Sequence, residues 1–218
     1  MAALRGTNTT GDCLTNLGMS GVYRSSLNWV NNVMTWDLSA DNTNLTTLTA
    51  ASLGSYVSGA KDIYRCPADR ALSMIQRAAG WNARIRSYSM NVMIGDAGRY
   101  STNGYNINNP DYTQFFKITR FHSLRKFFVF LDELPDSIND GYFVERDDYS
   151  NGMTCPRHIT TTPRHFPLPT DTAPCIAGCK SSTIRPPMPD AANLPIAINA
   201  DERADFDWVM DHMSVKQN

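Results

Sequence analysis

The sequence predicts an α+β domain of short elements, on three observations. Phe127 to Leu131 is a continuous apolar run of aromatic and aliphatic residues, the composition of a strand buried on both faces, and Tyr142, Phe143 and Val144 resume it after a loop. Ile85, Ser87, Ser89 and Asn91 alternate with Arg86, Tyr88, Met90 and Val92, as a strand with unlike faces does. Helical signals are confined to short windows near 46–56, 71–79 and 206–211.

Taken in order, residues 1–28 are rich in Gly, Asn, Thr and Ser and read as an extended amino-terminal segment. A globular domain is expected over 29–150. It opens with Trp29, Val30, Val33, Met34 and Trp36, a strand or short helix laid over the core. Thr46 or Thr47 then caps a helix running to Tyr56, with Leu48, Leu53, Tyr56 and Val57 as its apolar contacts. Ile63 to Pro67 reads as extended, because the residue before a proline is pushed out of the helical region. Ala71 to Ala79 follows as a helix with Leu72, Ile75 and Ala79 on one face and Gly80 as its stop. Gly95 to Pro110 is a long loop rich in Gly and Asn.

The loop from Asp132 to Gly141 is where the chemistry-bearing residues gather. It holds Asp132, Glu133, Asp136 and Asp140, and it ends in Asn139-Asp140-Gly141, three residues that tolerate a positive φ. One reading is a solvated turn between two strands. A second is an oxygen-rich calcium loop with Asp132, Asp136, Asn139 and Asp140 as ligands, since a hard cation takes six to eight oxygens at close range. No EF-hand spacing is present. A third makes Asp132, Glu133 and Asp136 the carboxylates of a carbohydrate-active hydrolase. Against it, neighbouring residues on a strand end point to opposite faces.

Whole-chain composition narrows the classes. The 218 residues carry 20 basic and 21 acidic side chains, a formal net charge of -1 with no basic block, so the electrostatic footprint of a nucleic-acid binder is missing. No apolar run reaches the roughly 18 residues of a membrane span, and no targeting signal is recognisable. Five cysteines do not by themselves fix a redox compartment.

Beyond Tyr149 the composition changes. Eight of the twelve prolines fall between 156 and 189, a density that excludes regular elements of useful length. Cys155, His158, His165, Cys175 and Cys179 in the same stretch have the donor types of a zinc-binding tail, at spacings that match no standard site. Residues 185–218 form a carboxy-terminal tail with a short helix over Phe206 to Asp211, capped by Asp205.

Four phrases carry a family resemblance: IYRCPADR (63–70), RSYSMNVMIGD (86–96), FVFLDELPDSINDGYFV (128–144) and DFDWVMDH (205–212). Together they resemble the globular part of bacterial prepilin-type processing-associated proteins, pseudopilin-like proteins with a His-x9-Asp-Gly motif found in type II secretion and pilus-like systems. The resemblance covers most of 20–150 and the last fifteen residues. It implies a pilin-like fold, a small antiparallel sheet packed on an amino-terminal anchor helix. This chain is expected to lack that helix, which leaves one sheet face uncovered. It further implies a non-enzymatic structural protein without cofactor, whose partners are other pseudopilin or secretion-system subunits, in the cell envelope, periplasm or cell surface. Membrane contact would come only through the missing helix. Major pseudopilins hold calcium in a loop of the globular domain, which favours the calcium reading of 132–140.

The His-x9-Asp-Gly motif is absent from the frame as written. Reading the codons of Asn151 to Ile184 two bases along, with permitted third bases, allows WNDLPASYHNNAATLSFADGHCTMHRWL. That string contains a His, nine residues and Asp-Gly, followed by His-Arg-Trp. The expectation is therefore that residues 151–184 arise from two compensating frameshifts and that 152–184 form no regular structure. The zinc-like residues are then accidents of frame, and Cys13 and Cys66 remain as the native cysteines. Those two form a disulfide if their Cα atoms lie within about 7 Å in an oxidising compartment.

Overall fold

The computed structural model describes residues 28–57, 60–97, 101, 105–121, 126–147, 151–152, 196–197 and 203–217. Its helices are α1 (Thr46–Thr49), α2 (Met74–Ala78) and α3 (Arg203–Met213). Its strands are β1 (Tyr88–Asn91), β2 (Tyr105–Asn106), β3 (Asn109–Thr113), β4 (Phe130–Asp132), β5 (Tyr142–Phe143), β6 (Asn151–Gly152) and β7 (Ile196–Ala197). The mixed α and β content agrees with the sequence reading.

The central sheet is mixed, not antiparallel as expected. Its order is β4-β1-β5, with β1 antiparallel to β4 (Ser89 opposite Leu131) and parallel to β5 (Met90 opposite Tyr142). The cause lies in the 133–141 connection. It does not fold β5 back beside β4 as a hairpin would, but carries the chain across to the free edge of β1. β1 is thereby the middle strand, and Ser89 and Asn91 are fully buried although polar. The expected two unlike faces of this strand both lie inside the protein.

Both sheet faces are covered, which corrects the expectation of a bare one. On one side Leu131 and Phe143 pack on Val209 of α3. On the other, Met90 joins Trp29, Val30, Leu48, Tyr64 and Ile94. The stripe Phe206, Val209, Met210 and Met213 explains how α3 docks, since positions three and four apart share one helix face. Asp205, expected as its cap, lies inside the helix, which begins at Arg203; an exposed Arg203–Asp207 pair at 2.8 Å braces the first turn. β4 is shorter than the Phe127–Leu131 run, and Val129 and Phe130 are each 41% exposed at the sheet edge, not buried on both faces.

Elsewhere the elements are shorter than their patterns. α1 stops at Thr49 because Thr47 O is taken by Asn31 N at 2.8 Å and Ala51 N turns to Leu48 O at 3.2 Å, and Tyr56 ends up exposed. Lys61–Tyr64 is a 3-10 turn rather than extended; the proline restriction acts on Cys66 and does not reach back to it, and Arg65, just past the turn, is extended. Segment 29–36 forms neither strand nor helix. Its amides go to other partners: Asn31 to Thr47 O, Val33 to the Asp41 carboxylate, Met34 to Asn139 O and Thr35 to Asn42 Oδ1.

α2 carries a capping box, in which Ser73 Oγ accepts from Gln76 N and Gln76 Oε1 accepts from Ser73 N. Its stop at Gly80 is as read, with φ +78, a conformation glycine adopts without strain. The expected apolar face is not what docks it, because Ile75 is 51% exposed. Instead buried Gln76 donates to Thr35 O and Asp37 O. The Gly95–Pro110 loop contains a hairpin, β2 and β3, with Asn106 opposite Asn109.

Candidate functional site

The 132–141 loop is not a solvated turn. Glu133 is 1% exposed, and Leu134, Pro135, Ser137, Ile138 and Asp140 are buried, while Asp132, Asp136 and Asn139 are half-buried. Two apolar residues inside the loop, Leu134 and Ile138, supply the reason: four residues apart on the Leu134–Ile138 turn, they pull the chain onto the core.

Its backbone is held from three directions. Trp29 Nε1 donates to Gly141 O at 2.8 Å, and Met34 N donates to Asn139 O. From β1 and the residue just before it, Met90 N donates to Gly141 O and Ser87 O accepts from Glu133 N, both at 2.9 Å. Arg84 Nη2 donates to Pro135 O, and the Arg84 guanidinium lies 4.1 Å above the Trp36 ring.

At the centre is Arg86, fully buried. Its Nη2 donates to Asp140 O at 2.6 Å, its Nε to Asn32 Oδ1 and its Nη1 to Tyr88 O and Ser89 Oγ. The planar fork of arginine suits this task, since it reaches a carbonyl, an amide and a hydroxyl in fixed directions. Burial pulls the Arg86 pKa down to about 10, opposed by the charges of Glu133 and Asp140, so it stays a cation at neutral pH.

Glu133 lies beside this cation. Ser137 Oγ donates to its Oε1 at 2.9 Å. Burial pushes its carboxyl up to about 7, against the hydroxyls of Ser89 and Ser137 and the charge of Arg86, which favour ionisation. Glu145, 2% exposed just past β5, is raised well above the usual carboxylate range by burial and by Glu133. Its Oε2 has no hydrogen-bond partner among the described residues.

The residues expected to hold calcium have other partners here. Asp140 Oδ1 accepts from Tyr142 N, and Asn139 Oδ1 accepts from Asp140 N, both at 2.8 Å. Such local bonds are routine for Asp and Asn in turns. Asp132 sits on β4 opposite Tyr88. Among the described residues no group of three or more His, Cys, Asp or Glu side chains is placed to hold a metal ion. Two guanidinium groups reach the backbone of this loop, Arg84 at Pro135 O and Arg86 at Asp140 O. Of the three acids of the hydrolase reading, Glu133 is 1% exposed while Asp132 and Asp136 are half-buried.

Cys13, the zinc-like residues Cys155, His158, His165, Cys175 and Cys179, and the expectation for 152–184 lie outside the described residues, apart from Gly152 in the two-residue strand β6, paired with Ile196 of β7. Cys66 is half-buried, and Cys66 N donates to Ser87 Oγ. Sequence reasoning passed over Arg86, Arg84 and Glu145. The available signal was two arginines alternating into an apolar strand, Arg84-Ile85-Arg86, with an acidic loop elsewhere to receive them. Among the described residues no helix is long and apolar enough to cross a membrane. No known protein family, curated protein or solved structure matches this chain.

Proposed function

We infer that this chain is a non-enzymatic structural subunit resembling the globular domain of pseudopilins, acting by assembly with other subunits of a type II secretion or pilus-like system. The observation that carries this reading is the inward turn of the 132–141 loop. Its carbonyls are taken by Trp29, Met34, Arg84 and Arg86, and the Glu133 and Asp140 carboxylates accept from Ser137 Oγ and Tyr142 N, which supports a structural use of these acids. The phrases of the resemblance support it further, because RSYSMNVMIGD contains Arg86 and β1, and FVFLDELPDSINDGYFV spans β4, the loop and β5. The resemblance thus falls on the residues that build one clasp. The shifted reading of 151–184 belongs to the same proposal, and the nucleotide sequence from upstream of Met1 through the stop codon decides it.

Co-purification tests the function. The frame-restored chain, co-expressed with pilin-like subunits of a secretion or pilus system, is expected to be retained with at least one of them. It is expected to release no sugar from a glycan panel. Hydrolysis that disappears in Glu133→Gln would overturn the reading in favour of the carbohydrate-active one.

A further inference from the structure

The segment that follows α3 lies as a strand along the edge of β3 that β2 does not use. Thr113 N donates to Val215 O at 2.9 Å and Gln217 N donates to Asp111 O, with Tyr112 opposite Lys216 in antiparallel register. Two side-chain bonds reinforce it, Ser214 Oγ to Thr113 O and Gln217 Nε2 to Thr113 Oγ1.

This strand is shallowly held. Met213 and Ser214 are buried and fix its root, whereas Val215, Lys216 and Gln217 are all exposed. Its ladder bonds run from main chain to main chain, so any extended segment supplies them equally. What the edge selects is a cation. Lys216 Nζ donates to Asp147 Oδ2 and lies 5.5 Å from the centre of the Tyr112 ring. Asp147 above all, then Tyr112 and Asp111, holds the Lys216 pKa up. Lys216 and Asp147 are nevertheless 56% and 39% exposed, and an ion pair so open to water adds little to keeping the strand in place.

We propose that this edge of β3 is a docking site for an extended segment of a partner protein carrying a basic residue, and that residues 215–217 occupy it until the partner displaces them. The incoming strand takes the main-chain bonds of Asp111 and Thr113. Its lysine or arginine takes the place of Lys216 beside Asp147 and the Tyr112 ring. The seated segment defines what fits: a strand antiparallel to β3 with its cation opposite Tyr112. Exposed Pro110 lies beyond the last bonded residue, Asp111, so a longer incoming strand gains contact that 215–217 do not make. The proposal rests on the geometry of β3 and stands whether or not the partner belongs to a secretion or pilus-like system.

The test is NMR of the full-length chain, following the Thr113 amide in the wild type, in Lys216→Glu and in Asp147→Lys, two changes at exposed side chains. Each variant is expected to loosen the seated segment and speed exchange of the Thr113 amide several-fold. The peptide acetyl-SVKQN-amide is then expected to shift that amide saturably in Lys216→Glu, about tenfold more tightly than acetyl-SVEQN-amide, since an exposed attraction is exchanged for a repulsion. In Asp147→Lys the preference reverses. The wild type, whose edge is taken, binds the lysine peptide more weakly than Lys216→Glu does. No saturable shift at millimolar peptide, equal binding of the two peptides, a preference that Asp147→Lys leaves unchanged, or Thr113 exchange unaffected by Lys216→Glu would overturn the proposal.

Discussion

Replacing Glu133 by Gln should change how stability depends on pH. Burial lifts this carboxyl from its ordinary 4.5 to about 7. Below pH 4.5 the folded and unfolded chains both hold the proton, and burial of the neutral acid carries no ionisation cost. Between 4.5 and about 7 the unfolded chain loses the proton while the folded one keeps it, so stability falls as pH rises. Above 7 the whole cost persists, about 3 kcal/mol for a shift of this size. At 1% exposure, solvent screening takes little from it. Gln is a neutral mimic of the protonated acid. Urea unfolding should therefore find the two proteins separated by a constant offset at pH 4, with the variant gaining about 3 kcal/mol on the wild type by pH 8. Glu145, also raised and coupled to Glu133, adds to the wild-type slope in the same direction. A wild type that gains stability between pH 5 and 8, or an offset that does not change with pH, would refute the electrostatic account.

Arg86→Met removes the bonds to Asn32, Tyr88 O, Ser89 and Asp140 O and strands the neighbouring acids, which should cost about 3–5 kcal/mol by denaturant unfolding; a cost under 1 kcal/mol would deny Arg86 its role. Ser73→Ala breaks the capping box and the Ser73 Oγ bond to Trp36 O, and should lower stability by about 1–2 kcal/mol in the same assay. Thermal melts in millimolar calcium and in chelator should coincide, because the loop already meets Arg86; a rise in melting temperature with calcium would restore Asp132, Asp136, Asn139 and Asp140 as a ligand set.

Local chemistry was the legible part of this fold. Gly80, the strand residues around Met90, the Tyr142–Phe143 strand and the 206–211 helix were all readable, because stops and apolar runs act within a few residues. Strand order was not. Nothing in 132–141 announces that the chain crosses β1 instead of turning back, since that choice depends on burying Leu134 and Ile138 against a distant core. The acidic loop looked solvated for the same reason. Its partners, Trp29, Met34, Arg84 and Arg86, lie tens of residues away, and a sequence window sees the carboxylates but not the guanidinium that meets them. Helix lengths were overread where a carbonyl was claimed from outside the helix, as Thr47 O is by Asn31 N. The β2–β3 hairpin inside an Asn-rich stretch gave no strand signal, because Asn109, Pro110 and Asp111 are poor strand formers whose pairing is fixed by tertiary contacts such as Asn109 Nδ2 to Glu145 O.

Amide hydrogen exchange of the loop tests the central claim, that 132–141 is a clasp closed around Arg86, most directly. The Glu133 amide donates to Ser87 O, the Tyr142 amide to Asp140 Oδ1 and the Ile138 amide to Leu134 O. If the clasp is part of the folded core, these amides exchange only with global unfolding, as slowly as Met90 and Asn91 of β1, and Arg86→Met releases them first. Loop amides that exchange orders of magnitude faster than β1 in the wild-type protein would show a solvated turn and contradict the account.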